Sequence, residues 1–155
     1  MIKEVHVFDM DGTIVCSMHR YKTMPCGTRI DLQYWLDNEH KAMDDSLLPL
    51  AEKYKALLKD PEAYVIIATA RVLNKPDMEF IKNVLGMPNK IISRKGRNDW
   101  RSGFDLKAKP LKQLFSLKQF KKAVKYFYED NKDYLYPTAE YCDMIPVYVP
   151  SKQGY

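Results

Sequence analysis

The feature that most constrains the fold of this chain is a succession of short apolar runs, each separated from the next by a longer and more polar segment. The run YVIIA is apolar at every position, as in a strand that is covered on both faces of a sheet. Strands that alternate with helices form a parallel sheet with right-handed crossovers. The sequence therefore predicts an α/β fold, a three-layer Rossmann-like parallel sheet with helices on both faces. The runs, in chain order, are VHVF, YVIIA, KIIS, AVKYFY and MIPVYV.

The segments between these runs carry helical signals. Between residues 46 and 58, apolar side chains recur at three- and four-residue steps, which predicts a helix of about thirteen residues. Residues 76–86 begin with proline and end with glycine, the arrangement of a short helix. Pro110 predicts that a further helix begins just before it, with Lys107 at the mouth of that helix. A helical or irregular segment is expected to continue through Pro137 to the last run.

Size and composition narrow the class of protein. A length of 155 residues, with no internal repeat, predicts one domain over residues 1–155. No apolar stretch reaches the roughly eighteen residues of a membrane helix, and charge follows the N-terminus too soon for a signal peptide, so we expect a soluble cytoplasmic protein. The three cysteines form no CxxC pair, which argues against a disulfide framework or a zinc knuckle. The net charge of +5 favours anionic partners such as nucleotides, nucleic acid or phosphorylated metabolites.

The stretch VFDMDGT combines the end of the first apolar run with two carboxylates. Asp9 and Asp11 stand one residue apart, and positions i and i+2 of an extended backbone project to the same side. Gly12 then permits a sharp turn. Because ligands of open α/β sheets bind at the carboxyl ends of the strands, the stretch is a candidate reaction centre. The alternative is a solvated acidic turn, since aspartate and glycine are common turn residues.

Further polar groups stand at or just after the ends of later strands. Thr69 and Arg71 follow the second run, and Glu129 and Asp130 follow the fourth. Lys107 lies between them, in the predicted helix. Lys109 is an alternative to Lys107, but Lys109 directly precedes Pro110, and the apolar spacing after Lys107 favours Lys107.

In order and in kind, these groups resemble the four motifs of the haloacid dehalogenase-like (HAD) phosphatases, beginning with DxDGT, and the resemblance covers nearly the whole chain. It implies a HAD-like phosphatase domain without a large cap. It implies that Asp9 is the nucleophile, which forms an aspartyl-phosphate, and that Asp11 is the general acid and then the general base. Lys107 would neutralise developing charge and restrain Asp9.

The resemblance also implies a Mg²⁺ cofactor and a phosphate-binding group. The metal ligands would be Asp9, the backbone carbonyl of Asp11, and Asp130. Glu129 stands where the family usually has an aspartate. The phosphate-binding residues would be Gly12, Thr69 and Arg71.

From residue 68 onward, the sequence TAR, a short helix and R-x-D-x-R look like the 3′-phosphatase domain of the bacteriophage polynucleotide kinase-phosphatases. This likeness implies a Mg²⁺-dependent phosphomonoesterase that removes 3′-phosphates from nucleic-acid ends. A 5′- or 3′-nucleotidase, or another small-molecule phosphatase, is the alternative enzyme. A non-catalytic nucleic-acid-binding domain is the alternative from another class. The expected partner is a phosphorylated nucleic-acid end or a nucleotide, with no membrane and no obligate protein partner.

Two segments admit both a structural and a functional interpretation. Residues 16–45 form either a surface helix or a small lid, in which Trp35 would bind substrate by stacking on a base. The loop RKGRNDWRSG is either an ordinary solvated loop or a substrate-binding loop. In the second case Arg97 and Arg101 would contact phosphates, with Trp100 available for stacking.

Overall fold

A computed structural model of the chain describes residues 1–16 and 45–150. Its centre is a five-stranded parallel sheet in the order β5-β4-β1-β6-β7, so β1 lies in the middle. A pair of two-residue strands, β2 and β3, forms a small antiparallel ribbon beside it. The predicted α/β architecture is confirmed. The strands of the described part are β1 Glu4–Phe8, β2 Val15–Cys16, β3 Ser46–Leu47, β4 Ala63–Val72, β5 Lys90–Arg94, β6 Val124–Glu129 and β7 Ile145–Tyr148.

Helices follow the strands in the order expected for a parallel sheet. The second helix continues through a π-helical turn, Ile81–Leu85, and ends at Gly86. A 3₁₀ turn, Lys118–Phe120, precedes β6. The α-helices of the described part are α1 Ala51–Leu58, α2 Lys75–Phe80, α3 Gly103–Phe115 and α4 Lys132–Cys142.

The hydrophobic core lies on both faces of the sheet because successive side chains of a strand point to opposite sides. On one face, Val5 and Val7 of β1 pack with Leu111 of α3 and Leu135 of α4. On the other face, Phe8 packs among side chains of α1, α2 and the π-helical turn, which are Ala51, Tyr54, Phe80, Ile81 and Leu85. The helices therefore cover the central strand from both sides and leave its carboxyl end at the edge of the sheet.

The helix predicted between residues 46 and 58 is shorter than expected. The α-helix begins at Ala51, and Ser46–Leu47 instead pairs with β2. The reason is Pro49, because the residue before a proline disfavours helical backbone. Leu48 instead donates its backbone N–H to the carbonyl of Ile14 at 2.9 Å, which extends the ribbon.

The prediction that the next helix begins just before Pro110 was wrong. Helix α3 begins at Gly103, where the side chain of Ser102 accepts a hydrogen bond from the N–H of Asp105. Pro110 inside the helix removes one backbone hydrogen bond, at a cost of about 3 kcal/mol. Burial of Leu106 and Leu111 offsets this cost, because each buried leucine stabilises by about 1.5–3 kcal/mol. Lys107 consequently lies in the second turn of the helix and not at its mouth.

Some predictions concern residues that the structure does not describe. Trp35 and almost all of the proposed lid at residues 16–45 lie outside the described residues. The single domain over residues 1–155 stays a prediction for the same reason. None of the helices in the described part has the length and apolar character needed to cross a bilayer.

Gly86 provides a test of the packing between α1 and the end of the π-helical turn. Its φ is 104°, and a Cβ atom added there would lie 2.7 Å from Cδ1 of Leu58. We expect Gly86→Ala to lower the free energy of unfolding by about 1–3 kcal/mol, measured by urea denaturation. Gly96→Ala is the matched control, since a Cβ added at Gly96 meets nothing within 4 Å. Equal denaturation midpoints for the two variants would contradict the expectation.

Candidate active site

The candidate site lies at the carboxyl edge of the sheet, where three parallel strands end side by side. Asp9 follows β1 directly, and its backbone N–H donates to the carbonyl of Tyr128 in β6 at 3.0 Å. Thr69 lies in the second half of β4, next to β1. Glu129 is the last residue of β6, and Asp130 follows it. The strand ends therefore gather the predicted groups at one edge, where ligands of such sheets bind.

A tight turn follows Asp9 and fixes its surroundings. The carbonyl of Met10 accepts hydrogen bonds from the N–H groups of Thr13 and Val15, at 3.1 and 3.0 Å. Gly12 is buried in this turn with φ 79°, a conformation that side chains disfavour. The turn brings Thr13 back toward β1, where its hydroxyl donates to Oδ2 of Asp9 at 3.0 Å. Thr13 is thus a site residue that the sequence interpretation missed, although it belongs to the DxDGT motif.

Lys107 joins β1 to β6 inside the protein. Its Nζ donates to Oδ1 of Asp9 at 2.8 Å and to Oε2 of Glu129 at 2.9 Å. The Lys107 side chain is only 1% exposed, whereas Lys109 is exposed. Both carboxylate oxygens of Asp9 therefore have a fixed donor, one from α3 and one from Thr13.

The electrostatics keep Lys107 charged. Burial alone lowers the pKa of its ammonium group, but the negative charges of Asp9 and Glu129 outweigh this effect and raise the pKa above its ordinary value. A permanently charged ammonium group at hydrogen-bond distance can neutralise negative charge that develops on Asp9 or on a group bound to it.

Asp9, Glu129 and Asp130 form an acidic cluster that could hold a metal ion. One carboxylate oxygen from each lies within 4.8 Å of the others, and all three residues are buried. Oδ2 of Asp130 is buried without a hydrogen-bond partner among the described residues. Hard oxygen ligands suit a divalent cation, which would also satisfy this oxygen. The side chain of Asp11 is not in this cluster, and its predicted metal contact is through its backbone carbonyl.

Burial and mutual repulsion disfavour the charged forms of two carboxylates in this cluster. Burial, followed by the charge of Asp9, raises the pKa of Glu129 to about 7 despite the opposing effect of Lys107. Burial and the charges of Asp9 and Glu129 also raise the pKa of Asp130. These directions match what is expected of carboxylates assembled to share one cation.

Asp11 and Arg71 form a second cluster beside the first. Nε of Arg71 donates to both carboxylate oxygens of Asp11, at 3.1 and 2.9 Å. Burial alone lowers the pKa of Arg71, but the charge of Asp11, with smaller effects of Asp45 and Asp77, raises it further above its ordinary value. The backbone N–H of Arg71 donates to Oγ1 of Thr69 at 3.1 Å. The Thr69 hydroxyl keeps its own proton for another acceptor, such as a phosphoryl oxygen.

Two further carboxylates hold Arg71 and were absent from the sequence interpretation. Nη2 donates to Oδ2 of Asp45 at 2.9 Å, and Nη1 donates to Oδ1 of Asp77 at 2.8 Å. Asp77 was visible only as the fourth residue of an N-x-x-D capping box that begins at Asn74. No pattern in the sequence marked Asp45, which directly precedes β3.

The predicted substrate-binding arginines lie on the loop between β5 and α3. Arg97 is exposed, and Arg101 pairs with Asp99 through Nε and Nη2 at 2.9 and 2.7 Å. Arg94, the first residue of the same basic segment, donates from Nε to the carbonyl of Ala70 at 2.8 Å. This bond fixes the loop to β4 between Thr69 and Arg71. An open hollow of about 520 Å³ on the loop is lined by Lys95, Gly96, Arg97, Asn98, Asp99 and Arg101.

Comparison with known proteins gives a family match over most of the chain. The family described as bacteriophage T5 5′-deoxynucleotidase matches residues 1–142. The 5′-deoxynucleotidase of Escherichia phage T5 is 33% identical over 87 residues, which are 52% of this chain and 35% of the phage protein. The chain thus matches about a third of the length of that relative.

Solved structures with a similar fold come from RNA repair assemblies. A chain of the Pnkp1/Rnl/Hen1 RNA repair complex superposes with a TM-score of 0.68 at 21% identity, covering 97% of this chain and 43% of that one. A second structure of a Pnkp1/Rnl/Hen1 complex gives a TM-score of 0.65 at 18% identity, covering 97% and 46%. At this level of identity the likeness concerns the fold.

The acidic cluster predicts that pH and cations act together on stability. The folded-state pKa of Glu129, about 7, exceeds its ordinary value of 4.5, so unfolding releases a proton between these values. Glu129 should therefore make its full contribution to the free energy of unfolding of the metal-free protein below about pH 4.5. This contribution should be lost as the pH rises through about 7. Mg²⁺ should raise the melting temperature more at pH 8 than at pH 5, because at pH 8 fewer protons compete with the cation for the carboxylates.

The measurement is thermal unfolding with and without Mg²⁺ at the two pH values. At about 100 times its dissociation constant, a bound cation stabilises the fold by about 2.7 kcal/mol. Asp130→Asn should lose most of this response. Asp143→Asn is the control, because Asp143 is exposed at the opposite edge of the sheet with φ 54°, which asparagine tolerates. An undiminished Mg²⁺ response in Asp130→Asn would refute the metal site.

Proposed function

Because the chain belongs to the bacteriophage T5 5′-deoxynucleotidase family, we propose that it is a Mg²⁺-dependent phosphomonoesterase of the HAD type that removes the 5′-phosphate from deoxynucleoside monophosphates. The observation that carries the proposal is the buried Asp9, held by Lys107 and Thr13 beside two further carboxylates. The family match supports the nucleotidase, which is the alternative to the 3′-end phosphatase that the sequence patterns favoured.

The residues that would hold Mg²⁺ are Asp9, Asp130 and the backbone carbonyl of Asp11. When bound, the ion would supply positive charge that lets a carboxylate approach a phosphate dianion. Glu129 has a different task, since its carboxylate accepts from Lys107 and thereby holds that ammonium group against Asp9. Direct metal contact by Glu129 is not required.

The reaction has two steps, and Asp9 is the nucleophile in the first. In the first, a carboxylate oxygen of Asp9 bonds to phosphorus while the bond to the nucleoside oxygen breaks, and Asp11 gives that oxygen a proton. In the second, water attacks the aspartyl-phosphate, Asp11 takes the proton from the water, and inorganic phosphate leaves with Asp9 restored. Lys107 stabilises the negative charge on the reacting group in both steps.

Thr69, Arg71 and the turn at Gly12 bind the phosphoryl group. The guanidinium contact with Asp11 favours the carboxylate form, which is the form that accepts a proton from water in the second step. For the first step, the phosphoryl oxygens would replace the Asp11 carboxylate on the same Nε–Nη2 edge of Arg71, which leaves Asp11 able to carry a proton. Bidentate geometry suits this exchange, because carboxylate and phosphate present similar pairs of oxygens to an arginine.

A second candidate substrate is a 3′-phosphorylated nucleic-acid end. The observation that favours it is the basic loop after β5, which is tied to β4 by Arg94 and carries Arg97 and Arg101 beside an exposed Trp100. These arginines would contact phosphates beyond the one removed, and Trp35 or Trp100 would stack on a base. A mononucleotide has fewer such groups, so the loop distinguishes the two substrates.

Asp9→Asn tests the nucleophile. The substitution keeps the size of the side chain but removes the attacking carboxylate, so phosphate release should fall to the background rate, a loss of at least about 10⁴-fold. Phosphate release from deoxynucleoside monophosphates in the presence of Mg²⁺ is the assay, with circular dichroism to confirm folding. Asp143→Asn should keep the wild-type rate. Retention of activity in Asp9→Asn would exclude Asp9 as the nucleophile.

A comparison of substrates separates the two candidates. The nucleotidase should have a higher kcat/KM for 5′-deoxynucleoside monophosphates than for 3′-phosphorylated oligonucleotides of the same base. Replacing both Arg97 and Arg101 by Ala should then lower kcat/KM for the oligonucleotide more than for the mononucleotide, by about tenfold for one to two lost phosphate contacts. The opposite ranking of substrates would favour the 3′-end phosphatase, and phosphate release from neither would refute both.

A further inference from the structure

Arg71 lies in a frame of carboxylates to which neither the sequence motifs nor the family match gives a role. Its Nε and Nη2 face Asp11, Nη2 also reaches Asp45, and Nη1 reaches Asp77. The side chains of Arg71, Asp45 and Asp77 are 2%, 0% and 1% exposed. The guanidinium plane is therefore held from two sides inside the protein.

The N–H donors of Arg71 are divided among the three carboxylates in a way that fixes the orientation of the guanidinium group. A guanidinium group presents its N–H donors in a fixed fork, so carboxylates on its outer nitrogens fix the direction of the remaining edge. With Nη1 on Asp77 and Nη2 on Asp45, the Nε–Nη2 edge is the one that points at Asp11. That edge presents two parallel N–H donors and can bind two oxygens at once.

We propose that Asp45 and Asp77 are positioning residues for phosphate-ester hydrolysis, and that they hold Arg71 so that its Nε–Nη2 edge meets Asp11 and the phosphoryl group. The inference rests on the proposed function for its reaction. An arginine ordered before substrate arrives loses less side-chain freedom on binding, and a reacting group placed within a fraction of an ångström reacts faster.

The two carboxylates reach Arg71 from separate parts of the fold. Asp45 immediately precedes β3, which pairs with β2 after the Gly12 turn. Asp77 lies in the first turn of α2, where its Oδ2 accepts from the backbone N–H of Asn74 at 3.1 Å and its Oδ1 accepts from Arg71. The two oxygens of Asp77 thus serve two functions, one in capping the helix and one in holding the arginine.

This division allows a matched pair of variants. Asp77→Asn keeps an oxygen that can cap the helix but removes the charge opposite Arg71. Asn74→Ala removes the side chain that accepts from the N–H of Asp77, at 3.1 Å, and leaves the Asp77 carboxylate in place. A helix cap alone predicts that Asn74→Ala lowers the melting temperature and that both variants keep the wild-type kinetics, whereas the positioning role predicts that Asp77→Asn changes the reaction and Asn74→Ala does not.

Two readouts are needed, one kinetic and one spectroscopic. Asp77→Asn should lower kcat/KM for the deoxynucleotide on the order of 100-fold and raise the inhibition constant of inorganic phosphate, while Asn74→Ala changes neither. The Nε–H resonance of Arg71, assigned by its loss in Arg71→Lys, should exchange slowly with solvent in the wild type and in Asn74→Ala, and rapidly in Asp77→Asn. Equal kcat/KM and equal exchange in the two variants would overturn the proposal.

Asp45→Asn tests the second carboxylate that holds Arg71, and it replaces Asp77→Asn if that variant does not fold. Asp45 caps no helix in the described part of the chain. It should lower kcat/KM and speed Nε–H exchange in the same direction, and wild-type values for both would overturn the proposal. A wild-type protein that releases no phosphate would refute the proposed function alone. The exchange of the Arg71 Nε–H in the variants would then decide the positioning role by itself.

Discussion

The buried contact of Lys107 with Asp9 and Glu129 is the interaction on which the site depends. Removing an ammonium group from water costs several kcal/mol, and two carboxylates at 2.8 and 2.9 Å offset this cost. The contact joins α3 to the ends of β1 and β6, so the positions of these elements and of the candidate nucleophile are coupled. Any change that displaces α3 also displaces the charge beside Asp9.

The two aspartates of the DxDGT motif belong to different clusters. The sequence argument directed Asp9 and Asp11 toward one point, because alternate residues of an extended chain share a side. The structure separates them by their partners: Lys107 and Thr13 hold Asp9, and Arg71 holds Asp11. A turn lies directly after Asp9, in which the carbonyl of Met10 accepts from the N–H groups of Thr13 and Val15. A nucleophile and a proton carrier need such distinct environments.

The sequence predicted the sheet better than the helix boundaries. Apolar runs such as YVIIA identified the central strands because burial on both faces leaves few alternatives. The start of α3 that was predicted from Pro110 was wrong, because the packing of Leu106 and Leu111 outweighs the local cost of a proline inside the helix. The helix begins at the Ser102 cap, which the sequence contains as S-x-x-D. Asp45 could not have been found, since its contact with Arg71 joins residues 26 positions apart.

The central position of β1 has a consequence for how the protein opens. A strand bonded on both sides exchanges its amide hydrogens only when the sheet itself comes apart, whereas edge strands such as β5 and β7 open by local fluctuation. Asp9 continues this strand and bonds to the carbonyl of Tyr128. The candidate site is therefore attached to the central strand, and local opening of β5 or β7 does not break the bond between Asp9 and Tyr128.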